Sequence, residues 1–147
     1  MIIVIIMFLM ALFVIAAIFL MMGAVVLTAC KPSLRVHGDS RIHASYRTGS
    51  LNASVPIEFD VLTVAAAGEA ALLERGYVIA RREGTQGRMT IIADTPAGAE
   101  RQWIERTVIF KAAQRNRGSH IEISVRPIPN EPETRAVLDG TLLRLGL

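Results

Sequence analysis

The chain offers one thiol, three imidazoles and thirteen carboxylates for chemistry. Cys30 is the lone cysteine, so no intrachain disulfide can form. It has no base beside it in sequence to make it a catalytic nucleophile, but it carries the only thiol open to covalent modification. His37, His43 and His120 have neither HExxH nor CxxC context, so no metal or cofactor is expected. Glu58 with Asp60, and Glu131 with Glu133, are close enough to work as acid and base. Each pair also precedes a helical pattern, where a carboxylate is stabilised by unpaired backbone amides, and capping is the better account. No serine stands in a GxSxG elbow, and EGTQGR (83–88) lacks the P-loop spacing and reads as a hairpin turn. No catalytic residue is expected. Arginines remain: Arg81, Arg82 and Arg88 bracket one turn, and Arg115 and Arg117 a second. Their forked donors suit phosphates on lipid headgroups or lipopolysaccharide. The competing reading is a solvated surface with Glu83, Glu105 and Glu122 as local partners. Trp103 is expected to fill an edge of the sheet core.

These residues are divided by composition. Residues 2–29 carry no charge, only Gly23 and Thr28 lie outside the apolar set, and every charged side chain follows Cys30. An apolar run longer than about 18 residues can cross a bilayer. MIIVIIMFLM has no Lys or Arg, and the run exceeds the usual 7–15-residue core of a signal peptide. Both features favour an uncut anchor. Leu27, Thr28, Ala29 and Cys30 point the other way, because LTAC resembles the lipobox of bacterial lipoproteins. The resemblance implies that Leu27, Thr28 and Ala29 are read by the lipoprotein signal peptidase and that Cys30 receives diacylglycerol and acyl chains such as palmitate. Lys31, in place of the aspartate associated with inner-membrane retention, then favours the periplasmic face of the outer membrane, with the inner membrane as the alternative. If the segment stays uncut, Lys31 and Arg35 place the domain in the cytoplasm. The net charge of +3 is spread along alternating acidic and basic residues, which gives no reason to expect a nucleic-acid partner.

Residues 1–29 are thus expected to be a signal peptide or hydrophobic anchor helix, 30–41 a tether, and 42–147 a small domain. KPSLRVHGDSR lacks periodicity. IHASYRTGSL reads as a first strand disturbed at Gly49. Asp60 should cap a helix over Val61–Arg75 that stops at Gly76, with Thr63, Gly68 and Glu69 on its thinner exposed side and Gly68 allowing close approach to a sheet. YVIARREGTQGRMTIIAD reads as a hairpin, TPAGAERQ breaks the pattern, and WIERTVIFKA resumes it. HIEISVR alternates most clearly, with Ile121, Ile123 and Val125 inward. Asn130 and Glu133 have capping-box spacing before a helix carrying Val137, Leu138, Thr141, Leu142 and Leu145. The expected fold is α+β: a two-layer sandwich, a mainly antiparallel sheet of about four strands with two helices on one face, in the order β-α-β-β-β-α.

The lipobox, YRTGSL, AAAGEAALLERGY and the strands ending in HIEISVR together resemble, over residues 27–145, a domain-of-unknown-function family of small bacterial lipoproteins. That resemblance implies a noncatalytic envelope domain. Its expected partners are the membrane through lipid on Cys30, an envelope protein or a second copy pairing at a sheet edge, and weak contact with anionic lipid. The alternatives are an envelope enzyme or small-ligand or lipid carrier, and a single-pass inner-membrane protein with a cytoplasmic basic domain.

Overall fold

In the computed structural model, residues 32–56, 58–95, 105–115 and 118–147 are described. The expected signal or anchor, Leu27, Thr28, Ala29, Cys30, Trp103 and Arg117 lie outside them. The elements run β1 (Ser33–His37), β2 (Ile42–Arg47), β3 (Ser50–Val55), α1 (Val61–Glu74), β4 (Val78–Thr85), β5 (Arg88–Asp94), β6 (Thr107–Arg115), β7 (Gly118–Arg126) and α2 (Glu131–Leu145). All strands join one antiparallel sheet in the order β1-β2-β3-β7-β6-β5-β4. It consists of two meanders, β1–β3 and β4–β7, sewn together by the β3–β7 pairing. Among the described residues no helix is long and apolar enough to cross a membrane.

The α+β class with two helices agrees with expectation, but the four-stranded sheet in β-α-β-β-β-α order is wrong. Seven strands run β-β-β-α-β-β-β-β-α. One cause is the stretch expected as a tether: Ser33–His37 pairs with β2 from Ser33↔Tyr46 to His37↔Ile42. A second is IHASYRTGSL, which is two strands rather than one, and a third is that four strands, not three, follow the first helix. Thr48 at φ 49° and Gly49 at φ 82° turn the chain back on itself, the pair of positive φ values that a type I′ hairpin needs.

Burial alternates along the inner strands, so one face carries Leu51, Ala53, Ile91, Ala93, Val108, Phe110, Ile121, Ile123 and Val125. Register places Leu51 and Phe110 on either side of Ile123, with Ile91 beyond Phe110. Both helices cover this face. α1 lies over β4, β5 and β6, α2 over β7, β3 and β1, and the helices touch each other. Val61, Val64, Leu72, Val137, Leu138 and Leu142 complete the core. Asp60 caps α1 by accepting from the Thr63 amide at 2.6 Å, and Asn130 caps α2 by accepting from Glu133 at 3.0 Å. Gly68 is buried against the sheet rather than on the exposed side of α1. A Cβ there would stand 2.6 Å from Cε1 and Cε2 of Phe110, so the missing side chain sets how closely helix and sheet approach.

Candidate functional site

Because both helices take one face, no helix among the described residues covers the opposite face of the sheet. Strand alternation puts Arg47, Arg81, Arg88, Lys111, Arg115 and Arg126 on it, with Glu83, Asp94 and Glu122 as its acids. Lys111 pairs with Glu122 at 3.2 Å, and Arg81 with Glu83. Asp94 accepts from the Thr107 hydroxyl at 2.6 Å. Arg47, Arg88, Arg115 and Arg126 have no ion pair among the described residues. They fall at two ends. Arg88 stands opposite Ala113, two positions from Arg115, beside the β4–β5 and β6–β7 turns. Arg47 pairs with Ser50 and Arg126 with Thr107 at the end where β1 begins.

Four of the five arginines singled out from sequence lie within the described residues, and they separate. Arg88 and Arg115 come together, and Arg81 shares their face near the β4 edge. Arg82 points to the helix face, where Nε and Nη2 hold Glu69 of α1 at 2.6 and 2.5 Å. That hydrogen-bonded pair holds the Glu69 carboxyl below its ordinary range. A register shift between Ile79 and Arg81 breaks the alternation by which sequence would place the two neighbours. At the Arg88 and Arg115 end, His120 stands opposite Ala113 and meets Asn52 Oδ1 through Nε2 at 3.2 Å, and its buried Nδ1 has no partner among the described residues. Burial first, then the Arg115 charge, lowers the imidazole below its ordinary value.

A second polar constellation joins β1 to α2 around a cleft of about 370 Å³ lined in part by Arg35, His37, Glu131, Arg135 and Asp139. Arg135 is only 5% exposed. Its Nε and Nη2 donate to Glu131 Oε1 at 2.9 and 2.7 Å, and Nη2 also reaches the Ser33 carbonyl and hydroxyl, each at 3.1 Å. Nη1 lies 2.8 Å from His37 Nε2. A guanidinium can only donate, so Nε2 accepts and the ring proton sits on Nδ1, facing Asp139 Oδ1 at 2.5 Å. The nitrogen a general base would use is therefore occupied. Bonding to Arg135 holds the Glu131 carboxyl below its usual range. His37, expected in a tether, is a buried strand residue, and Arg135 was not anticipated because its ring partner lies 98 positions away.

The expected capping carboxylates are also structural. Glu133 accepts from Arg75 Nε and Nη2 at 2.9 and 3.0 Å and from the Tyr77 hydroxyl at 3.0 Å, tying the end of α1 to the start of α2. Burial alone would raise Glu133, but these donors outweigh it and hold the carboxyl below its ordinary 4.5. Tyr77 is pushed up to about 12 by burial and then by the Glu133 charge. The lowered Glu133 stabilises the fold above pH 4.5, and this contribution is lost as pH falls through its folded value. The raised Tyr77 contributes below pH 10 and loses its effect as pH rises toward about 12. Glu133→Gln is expected to lose about 2 kcal/mol at neutral pH and to flatten the acid limb of the stability profile. Urea unfolding across pH 3 to 7 (an acid-to-neutral window of roughly that span) tests this. Wild-type and variant stabilities should converge in acid, and parallel profiles would refute the assignment.

Among the described residues no three of His, Cys, Asp and Glu converge as a metal site. No family model and no curated protein matches the chain.

Proposed function

We propose that the chain is a lipid-anchored, noncatalytic domain of the bacterial cell envelope, acting by contact with another envelope protein or a second copy. The observation that carries this reading is Leu27-Thr28-Ala29-Cys30 closing a charge-free run three positions before β1 begins. The occupied His37 nitrogens and the hydrogen-bonding and capping roles of Glu131, Glu133 and Asp60 support contact over turnover. The sheet edges supply a surface for it. β4 is guarded by its register shift and by Arg81, Arg82 and Glu83, the devices that discourage strand addition. β1 exposes Leu34 at 65% and Val36 at 52%, making it the more receptive edge. The periplasmic face of the outer membrane is the favoured location.

Mass spectrometry of the mature amino terminus, paired with Cys30→Ser, tests the anchor. The expected wild-type product lacks residues 1–29 and carries diacylglycerol and acyl mass on Cys30, while Cys30→Ser receives no lipid. If residues 1–29 are retained and the substitution leaves membrane attachment unchanged, the chain is instead a single-pass inner-membrane protein with a cytoplasmic basic domain. The β1–α2 cleft favours a second reading, an envelope enzyme or carrier of a small ligand or lipid. With both imidazole nitrogens engaged, carriage is the stronger form of that reading.

A further inference from the structure

Three features compete for a role beyond anchoring: the β1–α2 cleft, the arginine pair Arg88 and Arg115, and the end of the sheet where β1 starts. The buried groups of the cleft are internally satisfied, with Arg135 matched to Glu131 and His37 to Asp139, and only the exposed Arg35 is left at its rim. Arg88 and Arg115 form an exposed basic corner, and the nearest further polar group, His120, has Nε2 taken by Asn52 and Nδ1 buried. The β1 end has a second constraint, the length of chain that precedes it.

We propose that this end of the domain, built from the Arg47–Ser50 turn and the Arg126–Pro129 segment, docks on an anionic lipid bilayer, while the β4–β5 and β6–β7 turns face away. The proposal rests on membrane attachment at or just before Cys30 and deepens that reading by orienting the domain. Three residues from Cys30 to Ser33 reach about 11 Å at most. Ser33 pairs with Tyr46, next to Arg47, so the β2–β3 turn is held near the lipid surface. β6 is nine residues long, and its far turn is displaced from this end by about 30 Å.

The two docking pieces form one continuous surface. A Cβ on Gly49 would stand 3.1 Å from Pro129 Cγ, so turn and segment are packed together. This surface presents the guanidiniums of Arg47 and Arg126, without ion pairs among the described residues, and Ile128, 59% exposed. Guanidiniums match headgroup phosphates, and an exposed isoleucine can enter the acyl boundary. Among the described residues the nearby acids are largely committed: Glu131 to Arg135, Glu133 to Arg75, and Asp94 to Thr107, leaving Glu105 exposed.

The test uses the full-length chain reconstituted in phosphatidylcholine vesicles with and without phosphatidylglycerol. Fluorophores are placed through Thr48→Cys, Ile128→Cys or Gln86→Cys, and quenching by brominated lipid is measured beside cosedimentation. A lipidated Cys30 has no thiol to react with the dye. If Cys30 remains free, the same variants are made with Cys30→Ser. Strong quenching at 48 and 128, with little at 86, is expected in vesicles containing phosphatidylglycerol. Arg47→Gln with Arg126→Gln should lower the docked-to-undocked ratio by about thirtyfold while cosedimentation persists. Equal quenching at all three positions, no quenching in cosedimenting protein, or no response to the double substitution each overturns the docking and leaves the anchor standing. Failure of the unsubstituted chain to cosediment overturns both.

Discussion

Truncating Phe110 to alanine will lower the domain's stability by about 3–5 kcal/mol, measurable as a fall in the urea midpoint. Phe110 is fully buried at the centre of β6, between Ile91 and Ile123 in register, and its ring faces Gly68 of α1. Removing it deletes apolar contacts on both layers, and the flanking strands, held by ladder hydrogen bonds, cannot collapse into the space. A domain with 5–15 kcal/mol in hand would lose much of its margin. Gly68→Ala approaches the same contact from the other side. Its methyl group would stand 2.6 Å from two ring carbons, forcing overpacking of about 1–3 kcal/mol, against which alanine's better helix propensity returns about 1 kcal/mol. Combining Gly68→Ala with Phe110→Leu should recover part of the loss, because the smaller side chain makes room for the methyl. Additivity within about 0.5 kcal/mol would refute this account of how α1 is seated.

Arg135→Ala is expected to destabilise by about 3 kcal/mol and to do so unevenly. The guanidinium serves Ser33, His37 and Glu131 together. Its loss leaves the His37 Nε2 acceptor and the Ser33 carbonyl without this donor and weakens the tie between β1 and α2 to the His37–Asp139 contact. Amide exchange should therefore accelerate in Ser33–His37 and its partners in β2, while β5 and β6 keep their protection, the signature of a local opening. Arg135→Lys retains the charge but not the fork that spans three groups, so it should rescue little of the β1 protection. Uniform loss of protection across all strands would show that Arg135 stabilises the core as a whole and does not specifically clasp β1.

The same residues explain which parts of the fold could be read in advance. β7 was legible because Ile121, Ile123 and Val125 alternate with His120, Glu122 and Ser124, and the structure buries the first set. α1 was legible through Asp60, its alanines and Gly76, whose φ is 83°. β1 was hidden because its pattern is inverted: the polar His37 is buried while Leu34 and Val36 are exposed. The reason lies on another element, since polar Arg135 and Asp139 of α2 wait for His37. β2 and β3 were merged because Ala44 and Ala53 give a weak apolar signal and a threonine occupies a positive-φ turn position. At the candidate site, sequence gathered arginines by proximity along the chain. Folding regrouped them by face and end, which separated Arg82 from Arg81 and brought Arg47 near Arg126.

The seam between the two meanders also fixes an order of assembly. Ser50 pairs with Ser124 and Val55 with Ser119, closing a loop of about seventy residues, an entropic cost that must be met before the contact rewards it. Hairpins β1–β2–β3 and β4–β5–β6–β7 can form from neighbours, but β3 has no second partner until β7, one element from the end of the chain, is in place. As the polypeptide lengthens, the first meander therefore emerges with a bare inner edge that is compatible with strands of other copies. Productive folding then becomes a race between the arrival of β7 and intermolecular pairing, one that a dilute or chaperoned nascent chain wins more often than a crowded one.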